Sequence, residues 1–186
     1  MPDAVSTVQE RTDAMSEPTL LTDEERQALR TALDDEYKAH ETYAQVIRDF
    51  GEVRPFINIV EAEARHIAAL VALFEKYGLA PPANRWAGNA PRFASVNDAC
   101  RAGVQAEIDN AALYDRLFAS TRRADLLGVF RALRAASQDN HLPALASLFR
   151  FAALGPTGLG IAAALALAAI GAARLFEARL PVAHRA

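Results

Sequence analysis

Glu63 and His66 have the residue types and the spacing of metal ligands. They lie three positions apart, so on a helix their side chains emerge from adjacent turns of one face. That face also carries Val60, Ile67 and Leu70, which predicts that it is buried. A carboxylate and an imidazole are costly to bury without a partner, and an inward-facing Glu-x-x-His supplies ligands to carboxylate-bridged metal sites in four-helix bundles. A hydrogen-bonded polar core without metal is the alternative interpretation.

Three other predicted helices each place a polar residue on an otherwise apolar stripe. Glu36 interrupts the first stripe, Glu107 the third and His141 the fourth, where apolar residues recur at steps of four and three. Such stripes are typical of helices packed in a bundle, so the four helices direct these side chains to one interior. Carboxylate and imidazole ligands together suit iron or manganese, and zinc is an alternative. The predicted metal ligands are Glu36, Glu63, His66, Glu107 and His141.

The predicted site lacks one carboxylate of the full two-metal pattern. That pattern has one Glu from each of two helices and a Glu-x-x-His from each of the other two, but Gln138 stands three positions before His141. The neighbouring Asp139 and Asn140 point away in a regular helix, unless Pro143, which breaks helical hydrogen bonding, rotates this turn. The sequence therefore leaves open whether one or two ions bind.

Two further residues bear on this prediction in opposite ways. His40 lies one turn from Glu36 and is either an extra neutral ligand or, as the favoured interpretation, a group that orients a ligand by hydrogen bonding. Arg134 lies two turns before His141, and an ion pair between this arginine and a spare carboxylate would argue against a metal.

A repeated spacing indicates that the two halves of the chain are related. Tyr43 follows Glu36 by seven residues, and Tyr114 follows Glu107 by seven; each pair precedes a helix with an inward histidine. This is the pattern of a duplicated helical hairpin. The two tyrosines could donate hydrogen bonds to ligating carboxylates and so bind the metal centre indirectly. The alternative is that both are ordinary core residues.

The composition favours a single all-α domain. The chain has 186 residues, a net charge of −3 and abundant alanine and leucine with little β-branched alternation. No basic run indicates a nucleic-acid surface. The lone Cys100 excludes an intrachain disulfide framework, and the N-terminus does not have the pattern of a secretory signal, so we expect a cytoplasmic protein.

The predicted elements divide the chain into three parts. Residues 1–20 are rich in Ser, Thr, Glu and Pro and predict a disordered leader. Residues 21–153 contain four helices, the first beginning with a capping box at Thr22. A Pro- and Gly-rich connection over residues 79–94 separates the two pairs of helices. Residues 154–186 form an apolar, Ala- and Gly-rich helix and a short tail.

Four stretches of this sequence resemble the ferritin-like superfamily, and most of all a small prokaryotic ferritin-like domain family of unassigned function. The resemblance implies an antiparallel four-helix bundle with a di-iron centre, and it carries over the five predicted ligands. Gln138 departs from the full ferritin pattern. Members of the superfamily store iron, reduce peroxide or activate oxygen, so metal ions and oxygen or peroxide are the expected small-molecule partners. The resembling stretches are EYKAHETY (36–43), NIVEAEARH (58–66), AEIDNAALY (106–114) and SQDNHLPAL (137–145).

The apolar C-terminal stretch has two interpretations. Residues 151–173 carry no charge and are long enough to span a bilayer. Their few strongly apolar residues make insertion marginal, and Gly160, Ala164 and Ala168 form a small-residue stripe suited to close helix pairing. The stretch is thus either an extra helix that packs on a partner subunit in a homodimer or a membrane anchor over residues 154–175.

Overall fold

A computed structural model describes residues 20–153, and helices are the only regular secondary structure in this part of the chain. This confirms the all-α prediction. No helix among these residues is long and apolar enough to cross a membrane. The predicted leader, except its last residue, and the predicted apolar C-terminal helix at 154–186 lie outside the described residues. The helices are α1 (Asp23–Phe50), α2 (Phe56–Lys76), α3 (Val96–Ala119), α4 (Ala124–Ala136), a π-helical segment (Ser137–His141) and α5 (Leu142–Ala153).

The helix ends follow local hydrogen-bonding rules. The Thr22 hydroxyl accepts a hydrogen bond from the Glu25 N–H at 3.1 Å, and the Glu25 carboxylate accepts one from the Thr22 N–H at 2.9 Å, which completes the predicted capping box. Ser95 caps α3 by accepting from the Asp98 N–H at 3.1 Å. Gly51, with φ of 86°, ends α1 in a backbone conformation that favours glycine.

Two apolar clusters, one toward each end of the helices, form the core. Burying one such side chain completely contributes about 1.5–3 kcal/mol. The first cluster includes Leu29, Leu33, Leu70, Phe74, Tyr114, Phe130 and Leu133. The second cluster includes Tyr43, Val46, Phe56, Ile59, Cys100 and Leu145.

The order of the two clusters along each helix gives the helix directions. The sequence of α1 passes from the first cluster to the second, and so does that of α4 and α5 taken together. In α2 and α3 the order is reversed. Because α2 and α3 run in the same direction, the connection over residues 79–94 must travel the length of the helices. It is tied to α1 on the way by two Arg85–Asp34 hydrogen bonds, of 2.7 and 2.6 Å, and by an Asn84–Glu41 hydrogen bond of 3.0 Å.

The expected irregularity near Pro143 takes the form of a π-turn. The Leu142 N–H bonds to the Ser137 carbonyl, five residues back instead of four. Pro143 has no N–H with which to continue regular α-helical bonding. The wider turn buries Ser137 and His141 and leaves the residues between them more exposed.

Candidate metal centre

The five predicted ligands come together between the two apolar clusters. Each helix carries its polar residue where its sequence passes from one cluster to the other. Glu36, Glu63, Glu107 and His141 are only 3%, 2%, 4% and 4% exposed, respectively. The side chain of His66 is 13% exposed. A group of acidic and imidazole side chains with this degree of burial requires compensation from partners within the protein or from a cation.

Glu63 lies at the middle of the group. Its Oε2 is 2.9 Å from Nδ1 of His66, and its Oε1 is 3.0 Å from Nδ1 of His141. His66 Nδ1 is also 3.0 Å from Oε2 of Glu36, and His141 Nδ1 is 3.7 Å from Oε1 of Glu107. The two imidazole rings stack with their centroids 5.6 Å apart. The Glu63 carboxylate thus connects the ligands from the first half of the chain with those from the second half.

These contacts define two overlapping triads of candidate ligands. Within each triad, one ligand atom from every residue lies within 4.8 Å of the others. Glu63 belongs to both, as expected of a carboxylate that bridges two ions. The first triad is Glu36, Glu63 and His66, and the second triad is Glu63, Glu107 and His141.

The position of His141 fits a ligand better than a hydrogen-bonded core residue. Its Nδ1 is buried and has no hydrogen-bond partner, although Oε1 of Glu63 is only 3.0 Å away. The distance is short enough, but the ring N–H is not aligned with this oxygen. Two atoms bound to one ion at about 2.1 Å and at a right angle to each other are also about 3 Å apart. The donors present therefore suit a cation in the second triad.

Two buried tyrosines hold the carboxylates from the helix opposite. The Tyr43 hydroxyl donates to Oε1 of Glu107 at 2.7 Å, and the Tyr114 hydroxyl donates to Oε1 of Glu36 at 2.6 Å. Both bonds cross between α1 and α3. Burial raises the pKa of each tyrosine well above its usual range, so both remain donors. In Glu36 the second oxygen, Oε2, contacts His66, whereas in Glu107 the oxygen that accepts from Tyr43 is also the one nearest to His141. Hydrogen bonds of this kind are how outer residues orient metal ligands.

The place of the missing fourth carboxylate is taken by Ser137, not by Gln138. The Ser137 hydroxyl donates to Oε2 of Glu107 at 2.5 Å. The Gln138 amide instead donates to the backbone carbonyl of Glu107 at 2.6 Å. The π-turn explains the change, since it brings the residue four positions before His141, and not three, to the same side. Sequence reasoning missed the role of Ser137, and Pro143 was the signal that could have indicated it.

The other residues considered in the sequence lie away from the group. His40 Nδ1 is 3.6 Å from Glu41, and His40 does not belong to either triad. Arg134 pairs with Asp115 at 3.0 Å, so it does not neutralise a carboxylate of the two triads. Asp139 is exposed, as its helical phase predicted.

The charges of the group show how it is stabilised without a cation. Burial raises the pKa of Glu36 to about 8, which keeps its proton on at neutral pH. Burial alone would lower the pKa of His66, but its hydrogen bonds to Glu36 and Glu63 and the negative charge of these side chains outweigh burial and raise this pKa to about 10. For His141, burial is likewise outweighed by Glu107 and Glu63, and its pKa rises to about 9. Burial would raise the pKa of Glu63, but the adjacent histidines lower it.

A cavity of about 420 Å³ reaches the candidate metal centre from the side between α1 and α3. All four of the residues Glu36, Glu63, Glu107 and His141 contribute to its wall. Phe93, from the connection between α2 and α3, also lines it. The candidate centre is therefore accessible to molecules that enter between these two helices.

Comparisons with known proteins show a likeness of fold. No protein-family model matches the chain, and no curated protein matches it. The chain is similar in structure to the hypothetical protein MJ0754 from Methanococcus jannaschii DSM 2661, with a TM-score of 0.64 and 21% sequence identity. The match covers 72% of this chain and 84% of the archaeal one. At this level of identity the likeness shows a common fold and carries no information about activity.

Proposed function

We propose that this chain is a ferritin-like metal-binding protein that holds iron among its helices. The observation that carries the proposal is the convergence of three carboxylates and two imidazoles from four helical segments on one buried volume. Carboxylate and imidazole ligands suit iron or manganese, and zinc is the alternative. The ligands would be Glu36, Glu63, His66, Glu107 and His141.

The helix directions support a ferritin-like bundle. In an antiparallel four-helix bundle with one long crossover, the second and third helices run in the same direction. α2 and α3 have this relation, and α1 and the combined α4 and α5 run opposite to them. The additional C-terminal helix, the homodimer and a membrane anchor over residues 154–175 remain predictions, since they depend on residues beyond those described.

Iron with such ligands supplies redox chemistry with oxygen or peroxide. If the protein is an enzyme, the proposed activity is therefore that of an oxidoreductase or a ferroxidase-like protein. The chain's own residues would bind and orient. Glu63 would bridge the two triads, while Tyr43 and Tyr114 would fix the carboxylates of Glu107 and Glu36. Ser137 supplies a neutral hydroxyl in place of a fourth carboxylate. The second triad would therefore bind an ion less tightly than a site with one more negative charge.

The competing candidate is a non-catalytic helical interaction module with a metal-free polar core. One observation favours it: protons and ion pairs alone can neutralise the group, since His66 and His141 lie beside Glu63. A network satisfied in this way can specify one packing of the helices without metal.

Metal content separates the two candidates. We expect the full chain, purified without chelator, to contain at least about one iron or manganese ion. Glu63→Gln should reduce metal affinity by about 10- to 100-fold or more, because it removes the charge that both triads share. The matched control is Glu61→Gln, which changes an exposed glutamate of the same helix and should leave metal content unaltered.

Elemental analysis after gel filtration makes this comparison directly. Metal in the wild type and in Glu61→Gln, together with its loss in Glu63→Gln, supports the proposal. A folded wild type that takes up no iron, manganese or zinc even when these are added would favour the interaction module.

A further inference from the structure

The cavity beside the candidate metal centre is much larger than a metal ion with bound oxygen or peroxide requires. Its volume is about 420 Å³, whereas a water molecule occupies about 30 Å³ in the liquid. Protein interiors are otherwise close-packed, with few voids larger than a water molecule. Volumes from about 300 to 1,000 Å³ are typical of pockets for organic ligands. The size therefore indicates an occupant with several carbon atoms.

Small residues on α1 and α3 leave the space between these two helices unfilled. Ala39 and Thr42 line the cavity from α1, and Ala102 and Ala106 line it from α3. Toward the other end of the bundle, the same two helices contribute large side chains to the first apolar cluster, namely Leu29, Leu33, Tyr37, Leu113 and Leu117. The cavity is therefore a local feature that the small residues create, and not a general consequence of the spacing between the helices.

Most of the surface that the wall exposes to the cavity is apolar. Besides the alanines, Pro91 and Phe93 contribute to it from the connection between α2 and α3, and Leu133 contributes from α4. Phe93 packs against the second apolar cluster, and Leu133 belongs to the first. A mainly apolar wall is the usual lining of a site for a small organic molecule.

The polar groups of the wall do not select one kind of end group on a bound molecule. They carry charges of both signs, since Lys38 and the histidines of the two triads lie beside the carboxylates. Several are already paired within the protein: the Asn110 amide donates to Oδ2 of Asp35 at 2.9 Å. The Gln105 amide donates to Oδ1 of Asp109, also at 2.9 Å. The affinity for an occupant must therefore come from apolar surface removed from water.

We propose that this cavity binds a small organic molecule through its apolar surface, with a body about the size of one six-membered ring and with no requirement for a particular polar group. The body would lie between Ala39 and Thr42 on one side and Ala102 on the other, next to the candidate metal centre. That the molecule is a substrate rests on the proposed metal function, whereas its binding does not.

The test titrates three alcohols that share one hydroxyl and differ in the number of carbon atoms: ethanol, 1-butanol and cyclohexanol. Each is added to the full chain, ¹⁵N-labelled and treated with chelator so that no paramagnetic ion broadens the signals, and backbone amide shifts are followed. We expect cyclohexanol to cause saturable shifts at Ala39, Ala102 and Ala106 with a dissociation constant on the order of millimolar. Affinity should rise about fourfold for each added carbon atom, because each one buries a further methylene group. Affinity that does not rise with the number of carbon atoms overturns the proposal.

Two further probes vary the end group on the same ring. Cyclohexylamine and cyclohexanecarboxylate carry opposite charges at neutral pH. Exposed residues such as Pro91 and Asp109 form the mouth of the cavity, where an end group stays in contact with water. Both probes should therefore bind within about tenfold of cyclohexanol, since charges in contact with water interact weakly. A larger difference in either direction shows that the end group decides binding, which overturns the proposal.

Variants from both walls identify the site. Ala102→Phe fills the cavity from α3 and should abolish the cyclohexanol shifts, and Ala39→Leu fills it from α1 and should weaken binding if the larger substitution does not fold. Ala112→Phe, at an exposed position of α3 outside the cavity, is the matched control and should leave the shifts unchanged. Absence of saturable shifts with cyclohexanol, or wild-type binding in a folded cavity variant, overturns the proposal. Metal content, measured on the same preparation before chelation, reports separately on the proposed function.

Discussion

Glu63 is the residue on which the proposed metal centre depends. Its two oxygens each lie within about 3 Å of an imidazole, and it is the least exposed of the three glutamates in the group. Without a cation, the histidines carry protons, since their pKa values lie near 10 and 9. A metal ion and these protons compete for the same nitrogen atoms.

This competition predicts that metal affinity depends on pH. At pH 7 the raised pKa values of His66, His141 and Glu36 keep protons on all three groups, and a metal must displace them. The association constant should therefore rise with pH between about 6 and 9, by about tenfold per unit for each displaced proton. Calorimetry in two buffers with different ionisation enthalpies counts the protons released. Binding without proton release at pH 7 would show that the ion is held elsewhere.

At the scale of the element, the π-turn determines which side chains reach the candidate metal centre. A regular helix places Gln138 beside the ligands, at the position where the full two-metal pattern has its fourth carboxylate. The structure places Ser137 there, because the turn before Pro143 contains one additional residue. Helical periodicity predicted a single fourth helix where the structure has α4, the π-helical segment and α5. The site of the irregularity depends on backbone hydrogen bonding that periodicity does not describe.

A matched pair of substitutions tests this register. Ser137→Asp adds a fourth carboxylate next to Glu107. It should increase the number of ions bound per chain or raise the affinity for the more weakly bound ion. Gln138→Glu adds the same charge one residue later, where the side chain meets the Glu107 backbone carbonyl. It should change neither the number of bound ions nor their affinity. Metal stoichiometry by calorimetry distinguishes the variants. A gain for Gln138→Glu and not for Ser137→Asp would contradict the π-turn register.

Alanine substitutions at two glycines test how closely α3 packs on α5. Gly103 lies at this contact, and Gly128 on α4 is the control. A Cβ added at Gly103 would lie 3.0 Å from Cδ1 of Leu145 and 3.4 Å from the Tyr43 ring, and both neighbours are fully buried. Gly103→Ala should therefore destabilise the fold by about 1–2 kcal/mol. Gly128→Ala meets open space at an exposed position of α4 and should stabilise the fold by up to about 1 kcal/mol. Urea denaturation measures both, and equal effects would show that the α3–α5 contact is loose.

At the scale of the whole molecule, a layer of charged residues lies between two apolar clusters. The sequence predicted this arrangement well, because every helix shows the same order of apolar stripe, polar residue and apolar stripe. The capping box at Thr22 also predicted the start of α1 correctly. The cavity between α1 and α3 was not predicted, since it depends on the distance between helices and on small residues such as Ala39 and Ala106, which attract no attention in a sequence.

Metal binding in the middle layer should stabilise the fold, because an ion in the first triad would join α1 to α2 and an ion in the second triad would join α2, α3 and the π-helical segment. Iron(II) at 100 times its dissociation constant adds about 2.7 kcal/mol, which corresponds to a rise in Tm of roughly 5–10 °C for a domain of this size. The rise should be absent in Glu63→Gln. Anaerobic differential scanning calorimetry gives this comparison, and equal rises in wild type and variant would indicate binding outside the centre.

The most direct test of the metal centre is an anomalous difference map, measured at the iron absorption edge from crystals of the full chain grown with iron(II). The account predicts one or two peaks among Glu36, Glu63, His66, Glu107 and His141, with a peak about 2.0–2.2 Å from an oxygen of Glu63. A map without a peak there, in crystals where His66 and His141 keep their contacts to Glu63, would contradict it.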